Sequence, residues 1–367
     1  MSWSLGRHVG VVLALACVAA VAVLGLLWLL LGAPPIRVAG PLDPADTYDA
    51  IKIALAVVAG SGGVVALVVA YRRQQLSESG DARERDRALT ERFGAAAEQL
   101  GADRPAVRMA GASAMARLAD QWPQERQMCI DVLCGYLRMP HAPEPPGEEE
   151  ALTAWRRERE VRLTVLRLIA AHLRDGSPHS WQGYDLDFTG AVLDEADFRR
   201  ARFTGGEIVF IKALFVGHGH DQVVFDEVRF DEGAHVYFRL AEFRNGAVRF
   251  NRAVFNGGWV TFDNACFADA LVSFRDATFG AGEILFGGAE FRGGRVDFTG
   301  AAFTGGTVDF GEHRLESVYA TVPPARFTGA TVDLSRPTDF SHPPRFGLQE
   351  TPPGLQLPPG IDIAELP

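Results

Sequence analysis

Large apolar residues recur at fixed intervals through the second half of the chain, and polar residues fill most positions between them. Leu193, Phe198 and Phe203 are five residues apart, and an alanine stands two places before each of them. Further on, the steps alternate between seven and five residues without a miss through Phe243, Phe250, Phe255, Phe262, Phe267, Phe274, Phe279, Phe286, Phe291, Phe298, Phe303 and Phe310. A period held over so many copies indicates a repeat architecture.

A step of five residues fits neither an α-helix nor a flat strand, but it fits a coil that turns a corner at every unit. One large residue and its minus-two neighbour would then point inward, and stacked coils would pair backbone to backbone at about 4.8 Å. The steps 5+7+5+7 predict a 24-residue coil with two long and two short sides and a rectangular cross-section. A 12-residue, two-sided coil is the alternative, and it leaves too little width for two inward phenylalanine rings. Phe198, Phe203 and the twelve phenylalanines from Phe243 to Phe310 are the predicted inward positions.

The segment from Ala191 to Phe203 reads AVLDEADFRRARF, and this motif resembles the pentapeptide-repeat family. The resemblance covers the repeats from residue 184 to residue 342. It implies a right-handed, four-sided β-helix with roughly twenty residues per coil, from which the seven-residue steps depart. It implies little about activity, because the family is defined by its architecture.

The chain as far as Tyr71 is far more apolar than the rest. Residues 9–32 form a run of 24 without a charge, and residues 53–71 form a second run of 19. A 24-residue helix would extend roughly 36 Å, enough for a bilayer core of about 30 Å. Arg7 precedes the first run, and Arg72 and Arg73 follow the second, so the positive-inside rule predicts an inner-membrane hairpin with both termini in the cytoplasm. This layout resembles membrane-anchored actinobacterial members of the family.

A cleaved signal peptide is the alternative for the first run, although the run is longer than the apolar part of such peptides. Ala56, Gly60 and Gly63 would let two helices approach closely, either within the hairpin or in a homo-oligomer.

The chain is therefore predicted to have four parts. Residues 1–73 form a transmembrane hairpin, and residues 74–180 form a cytoplasmic all-α region whose apolar residues recur at helical spacing. Residues 184–342 form the pentapeptide-repeat β-helix, and residues 343–367 form a poorly ordered proline-rich tail.

Charge limits the function. The net charge of −10 argues against a nucleic-acid binder, which needs a basic face. Some pentapeptide-repeat proteins bind topoisomerases by imitating DNA, and this is the alternative function. Residues 184–346 carry 23 acids and 16 bases, a net charge of −7. Duplex DNA as long as six coils carries about 17 negative charges, more than twice as many.

Candidate chemistry is sparse. His218, His220 and Asp221 form the single metal-like cluster, for which a loop with incidental histidines is the alternative. Cys129 and Cys134 are expected to be buried and inert, and Cys266 to face solvent. We find no catalytic or cofactor motif and predict neither an enzyme nor a cofactor. The sequence favours a membrane-tethered scaffold that presents a rigid β-helix to an unknown protein partner.

Overall fold

The computed structural model divides the chain into two compact units, residues 1–88 and 89–367. It describes residues 14, 18, 21–22, 25–26, 28–30, 32, 44–141, 144–145, 147, 149–216, 222–315, 320–348 and 350–366.

Four long helices with described bounds precede the repeats. They are α1 (Pro44–Leu100), α2 (Pro105–Gln121), α3 (Arg126–Arg138) and α4 (Glu149–Leu173), with a 3₁₀ turn at Pro123–Glu125. Helix α2 begins with its proline at the first position, where the absent N–H is not needed.

Two membrane-spanning helices were expected from the uncharged runs. The run 9–32 lies largely outside the described residues. Helix α1 contains the run 53–71, but no helix in the described part of the chain is both long and apolar enough to cross a bilayer. The structure therefore gives no support to the predicted spans.

Helices α2, α3 and α4 pack around one apolar core, and the charged side chain of Arg162 lies inside it with 4 % of its surface exposed. Its guanidinium donates hydrogen bonds to the carbonyl oxygens of Tyr136 (3.4 Å), Met139 (3.3 Å) and Leu137 at the end of α3. The last carbonyls of a helix have no partner within it, so Arg162 satisfies groups that would otherwise be buried unpaired.

The helical core continues into the repeats. Trp181 is fully buried, stacks on His172 at 4.1 Å, and donates from Nε1 to Asp120 at 3.3 Å. Arg159 of α4 donates to Asp194 of the first coil at 2.5 Å. The helices thus cover the first coil instead of leaving an open sheet edge there.

The repeats wind as a β-solenoid whose short strands pair in parallel with the strand one coil later, in four stacks that we call sides A to D. Side A contains β3 (Arg202–Phe203), β7 (Arg229–Asp231), the first parts of β11 (Val254–Thr261) and β14 (Thr278–Leu285), and β17 (Ala302–Phe303). Side B contains β1 (Leu186–Asp187), β4 (Glu207–Val209), β8 (His235–Tyr237), the second parts of β11 and β14, and β18 (Thr307–Asp309).

Sides C and D complete each coil. Side C contains β2 (Val192–Asp194), β5 (Leu214–Val216), β9 (Glu242–Arg244), β12 (Cys266–Ala268), β15 (Glu290–Arg292) and β21 (Arg326–Thr328). Side D contains β6 (Gln222–Val224), β10 (Ala247–Arg249), β13 (Leu271–Ser273), β16 (Arg295–Asp297), β22 (Thr331–Asp333) and β23 (Leu355–Gln356).

The strand register confirms the predicted coil length. Phe243 is the partner of Phe267, and Phe267 is the partner of Phe291. Sides B and D each place two large residues inward in a coil, such as Val260 and Phe262, whereas sides A and C place one. The alternative of a 12-residue coil is therefore wrong.

Inward phenylalanines stack into four columns, one for each side. The longest column has seven rings, with neighbouring centroids 4.5 to 5.0 Å apart, and consists of Phe188, Phe210, Phe238, Phe262, Phe286, Phe310 and Phe346. All fourteen predicted inward phenylalanines lie in these columns, and none is more than 2 % exposed.

The proline-rich tail was expected to be poorly ordered, and this expectation is wrong. Phe346 ends the longest column, β23 pairs with β22, and Ile363 is 2 % exposed. These residues continue the inward positions of the solenoid, so the tail covers its last coil and gains apolar burial there.

Candidate interaction site

Outward positions on side B follow from the alternation of each strand. In β4 and β8 the middle residue points inward, and its two neighbours face out. Register places His235 beside Trp259, and Trp259 beside Glu283. Outward residues that are one coil apart in the chain therefore lie side by side along side B.

An aromatic patch lies in the middle of this side, and we define it as His235, Tyr237, Arg239, Leu240 and Trp259. The Trp259 ring meets Tyr237 edge-on at 5.5 Å and His235 at 6.4 Å. Leu240 follows at the adjacent corner with 44 % of its surface exposed. Tryptophan, tyrosine and arginine are the residues most enriched at the centres of protein interfaces.

Two donors in the aromatic patch lack a partner. Trp259 Nε1 and Arg239 Nε are both buried, and neither finds an acceptor within the described residues. A buried donor without an acceptor costs about 1–3 kcal/mol, and neither atom is open to solvent in this conformation. Burial, with the nearby Glu207 carboxylate, raises the pKa of Tyr237, which keeps its hydroxyl neutral as a further donor.

An inserted segment, described at residues 311–315 and 320–323, lies over the corner of side B next to the aromatic patch. It contains the antiparallel strands β19 (His313–Leu315) and β20 (Ala320–Val322). Gly288 N–H donates to Pro323 at 2.5 Å. A side chain at Gly287 would collide with His313, since a Cβ there would lie 2.6 Å from its Nδ1. Two neighbouring glycines thus make room for the segment.

His313 anchors the inserted segment on a buried carboxylate. Its Nε2 is 3.3 Å from Oδ2 of Asp263, a residue that is fully buried although it holds an outward position. The other atoms of this pair, Asp263 Oδ1 and His313 Nδ1, are buried with no hydrogen-bond partner among the described residues. The hydrogen bond that the His313 ring donates to the Asp263 carboxylate raises the pKa of His313, and the Asp309 carboxylate acts in the same direction.

This arrangement predicts a pH-dependent contribution to stability. Because the folded pKa of His313 is raised, the stabilisation is complete below the unfolded value near 6.5 and is lost as pH rises through the folded value. Thermal unfolding of wild type and His313→Gln, followed from about pH 6 to pH 8.5, should show a wild-type advantage that shrinks as pH rises. An advantage independent of pH would contradict the charged pair.

The predicted metal cluster cannot be placed, because His218, His220 and Asp221 lie outside the described residues. Elsewhere in the described part of the chain, no group of three or more potential ligands is arranged to hold a metal. Burial raises the pKa of Cys129 to about 11 and of Cys134 to about 12, so both are neutral thiols. Cys266 is half-buried, and burial raises the pKa of its thiol too.

Sequence reasoning did not single out the aromatic patch, nor Asp263 and His313. It treated every position between the inward residues as a generic polar rim. Aligning the sequence coil by coil puts Trp259 in the column of His235 and Glu283, where an outward tryptophan stands out. Asp263 gives no such signal, since only the inserted segment buries it.

Comparisons of the chain with protein-family models, with curated proteins and with solved structures find no match. The fold and its surface therefore have to indicate the function.

Proposed function

We propose that this chain is a non-enzymatic scaffold whose solenoid binds a protein partner through the aromatic patch. The observation that carries the proposal is the cluster of His235, Tyr237 and Trp259 rings on the outer face of side B, beside the exposed Leu240 on a regular stack of strands. A matching partner packs apolar side chains against these rings and against Leu240. Stacked coils hold the patch with little ordering cost on binding.

Membrane attachment is part of the proposal and rests on the uncharged runs 9–32 and 53–71. In this arrangement the solenoid works at the cytoplasmic face of the inner membrane. Fractionation of cells that express the full chain tests this part separately. We expect the chain to stay in the membrane fraction after alkaline washing. Recovery with the soluble proteins would contradict membrane attachment, but it would not affect the proposal that the aromatic patch binds a partner.

DNA imitation is not favoured by the charges of side D. The acids there are paired with arginines, as Asp226 is with Arg249 (2.8 Å) and Asp333 with Arg295 (2.8 Å). A duplex mimic needs a continuous row of unbalanced negative charge.

Quantitative co-purification tests the aromatic patch. Wild type, Trp259→Ala and the control Leu271→Ala are compared; Leu271 is 41 % exposed on side D. Loss of a tryptophan at an interface centre costs about 2 kcal/mol or more, roughly thirtyfold in affinity. We expect a protein that wild type and the control retain and that Trp259→Ala loses. Equal recovery with all three chains would refute the site.

A further inference from the structure

A second surface feature is a depression at the corner between sides D and A, near the start of the solenoid. Its volume is about 450 Å³, room for some fifteen water molecules at ~30 Å³ each. We call it the arginine depression, and it is lined by Arg174, Asp197, Arg199, Arg200, Asp226, Glu227 and Arg252.

The solenoid builds this depression by stacking charged residues at one corner. Arg200, Glu227 and Arg252 hold the same place in three successive coils, and all three have left-handed backbone conformations, with φ of 59°, 59° and 55°. Arg200 N–H donates to Asp226 O at 3.0 Å, and Glu227 N–H donates to Asn251 O at 2.9 Å. The coil-to-coil hydrogen bonds therefore fix the positions from which these side chains extend.

The depression has an excess of positive charge in a chain whose net charge is −10. Glu227 is shared by Arg200 (2.9 Å) and Arg252 (2.7 Å). Asp197 is shared by Arg199 (2.9 Å) and Arg174 (4.0 Å). Two carboxylates thus form ion pairs with four guanidinium groups.

Asp226 does not change this excess, because Arg249 from outside the depression neutralises it at 2.8 Å. Hydrogen bonds from Arg200 and Arg252 lower the pKa of Glu227, so this carboxylate is ionised at neutral pH. Four arginines against three acids give the lining a charge of 4 − 3 = +1, and the Arg249 guanidinium beside Asp226 adds to the positive charge nearby.

Arg200 and Arg252, which line the depression, keep unused donors. Arg200 donates from Nε to Glu227, and Arg252 donates from Nη2 to the same carboxylate. The remaining guanidinium N–H groups of these two residues make no hydrogen bond within the described residues. Guanidinium forks bind tetrahedral oxyanions through paired, charge-assisted hydrogen bonds.

We infer that the arginine depression binds a phosphate group, either as inorganic phosphate or as a phosphate monoester. The excess positive charge attracts an anion, and the guanidinium N–H groups of Arg200 and Arg252 that Glu227 leaves unused can donate to phosphate oxygens. The depression lies at a different corner from the aromatic patch, so its occupation does not depend on the protein partner.

Titration calorimetry of the full chain with inorganic phosphate and with methyl phosphate, at constant ionic strength, tests this inference. A partly exposed site of this charge should bind with a dissociation constant of about 1 mM or tighter. Weakening by about tenfold or more is expected in the double variant Arg200→Gln, Arg252→Gln, which removes two of the charges. Similar affinity for both ligands indicates recognition of the phosphate alone, and tighter methyl phosphate binding indicates a monoester.

Arg275→Gln is the matched control, since Arg275 is exposed on side D, lies outside the depression, and has its nearest carboxylate, Asp297, at 3.9 Å. It should bind phosphate as wild type does, and circular dichroism should show all chains equally folded. Absence of saturable binding up to about 10 mM, or equal weakening by the control, would overturn the inference.

Discussion

Phe262→Ala is expected to lower the free energy of unfolding by about 3–5 kcal/mol. The Phe262 ring is fully buried and lies between Phe238 (4.6 Å) and Phe286 (4.7 Å), parallel to both within 3°. Backbone pairing fixes the coil spacing on both sides, so neighbouring rings cannot close the space that the missing ring leaves. Chemical denaturation followed by circular dichroism measures the loss.

Leu271→Ala is the control for this substitution because it removes an apolar side chain from the same turn of the solenoid. Leu271 is 41 % exposed and faces outward on side D, so the change should stay within about 0.5 kcal/mol. If both variants lose the same small amount, the phenylalanine columns do not carry the stability of the repeats.

Arg162→Ala is expected to cost about 3 kcal/mol or more, the second-largest effect among these substitutions. The variant leaves the carbonyls of Tyr136, Leu137 and Met139 buried without their donor, and it opens a void between α3 and α4. Burial lowers the pKa of the Arg162 guanidinium, which reflects a charge held away from water and maintained by these bonds. The free energy of unfolding and the helical signal both report the loss.

Arg167→Ala is the matched substitution on the same helix. The Arg167 side chain is 60 % exposed and pairs with Glu160 at the surface, and such pairs contribute about 0–1 kcal/mol. A loss for Arg162→Ala as small as that for Arg167→Ala would mean that the end of α3 is satisfied by other groups.

The length of the coil could be predicted from the sequence because a phenylalanine recurs at an inward position on each side of the regular coils. Phe243, Phe267 and Phe291 are far apart in the chain, yet a strict period reveals their pairing without any other information. The same regularity indicated the two kinds of side, because seven-residue steps need room for a second large inward residue such as Val260.

Register could not be predicted where the period breaks. Between Phe310 and Phe346 the chain adds the inserted segment, and no repeat indicates that His313 turns back onto Asp263. The tail was misread for a similar reason: its prolines suggested disorder, whereas Phe346 and Leu355 stand in the inward columns of the last coil.

Neither the aromatic patch nor the arginine depression could be predicted from the sequence. Each assembles residues from different coils, and their neighbours follow only from the coil-to-coil register. The arginine depression shows this most clearly: Arg200, Glu227 and Arg252 are separated by 27 and 25 residues, because the early coils are not yet regular. A fixed period therefore misses their alignment.

Site-specific photo-crosslinking in intact cells tests most directly whether the aromatic patch is the docking surface. A photoreactive amino acid replaces His235, which is exposed beside Trp259, and in a second chain it replaces Leu271 on the opposite long side. An adduct with one discrete protein is expected from position 235, and it should disappear when Trp259→Ala is added. Equal adducts from both positions, or an adduct from position 271 alone, would contradict docking through this surface.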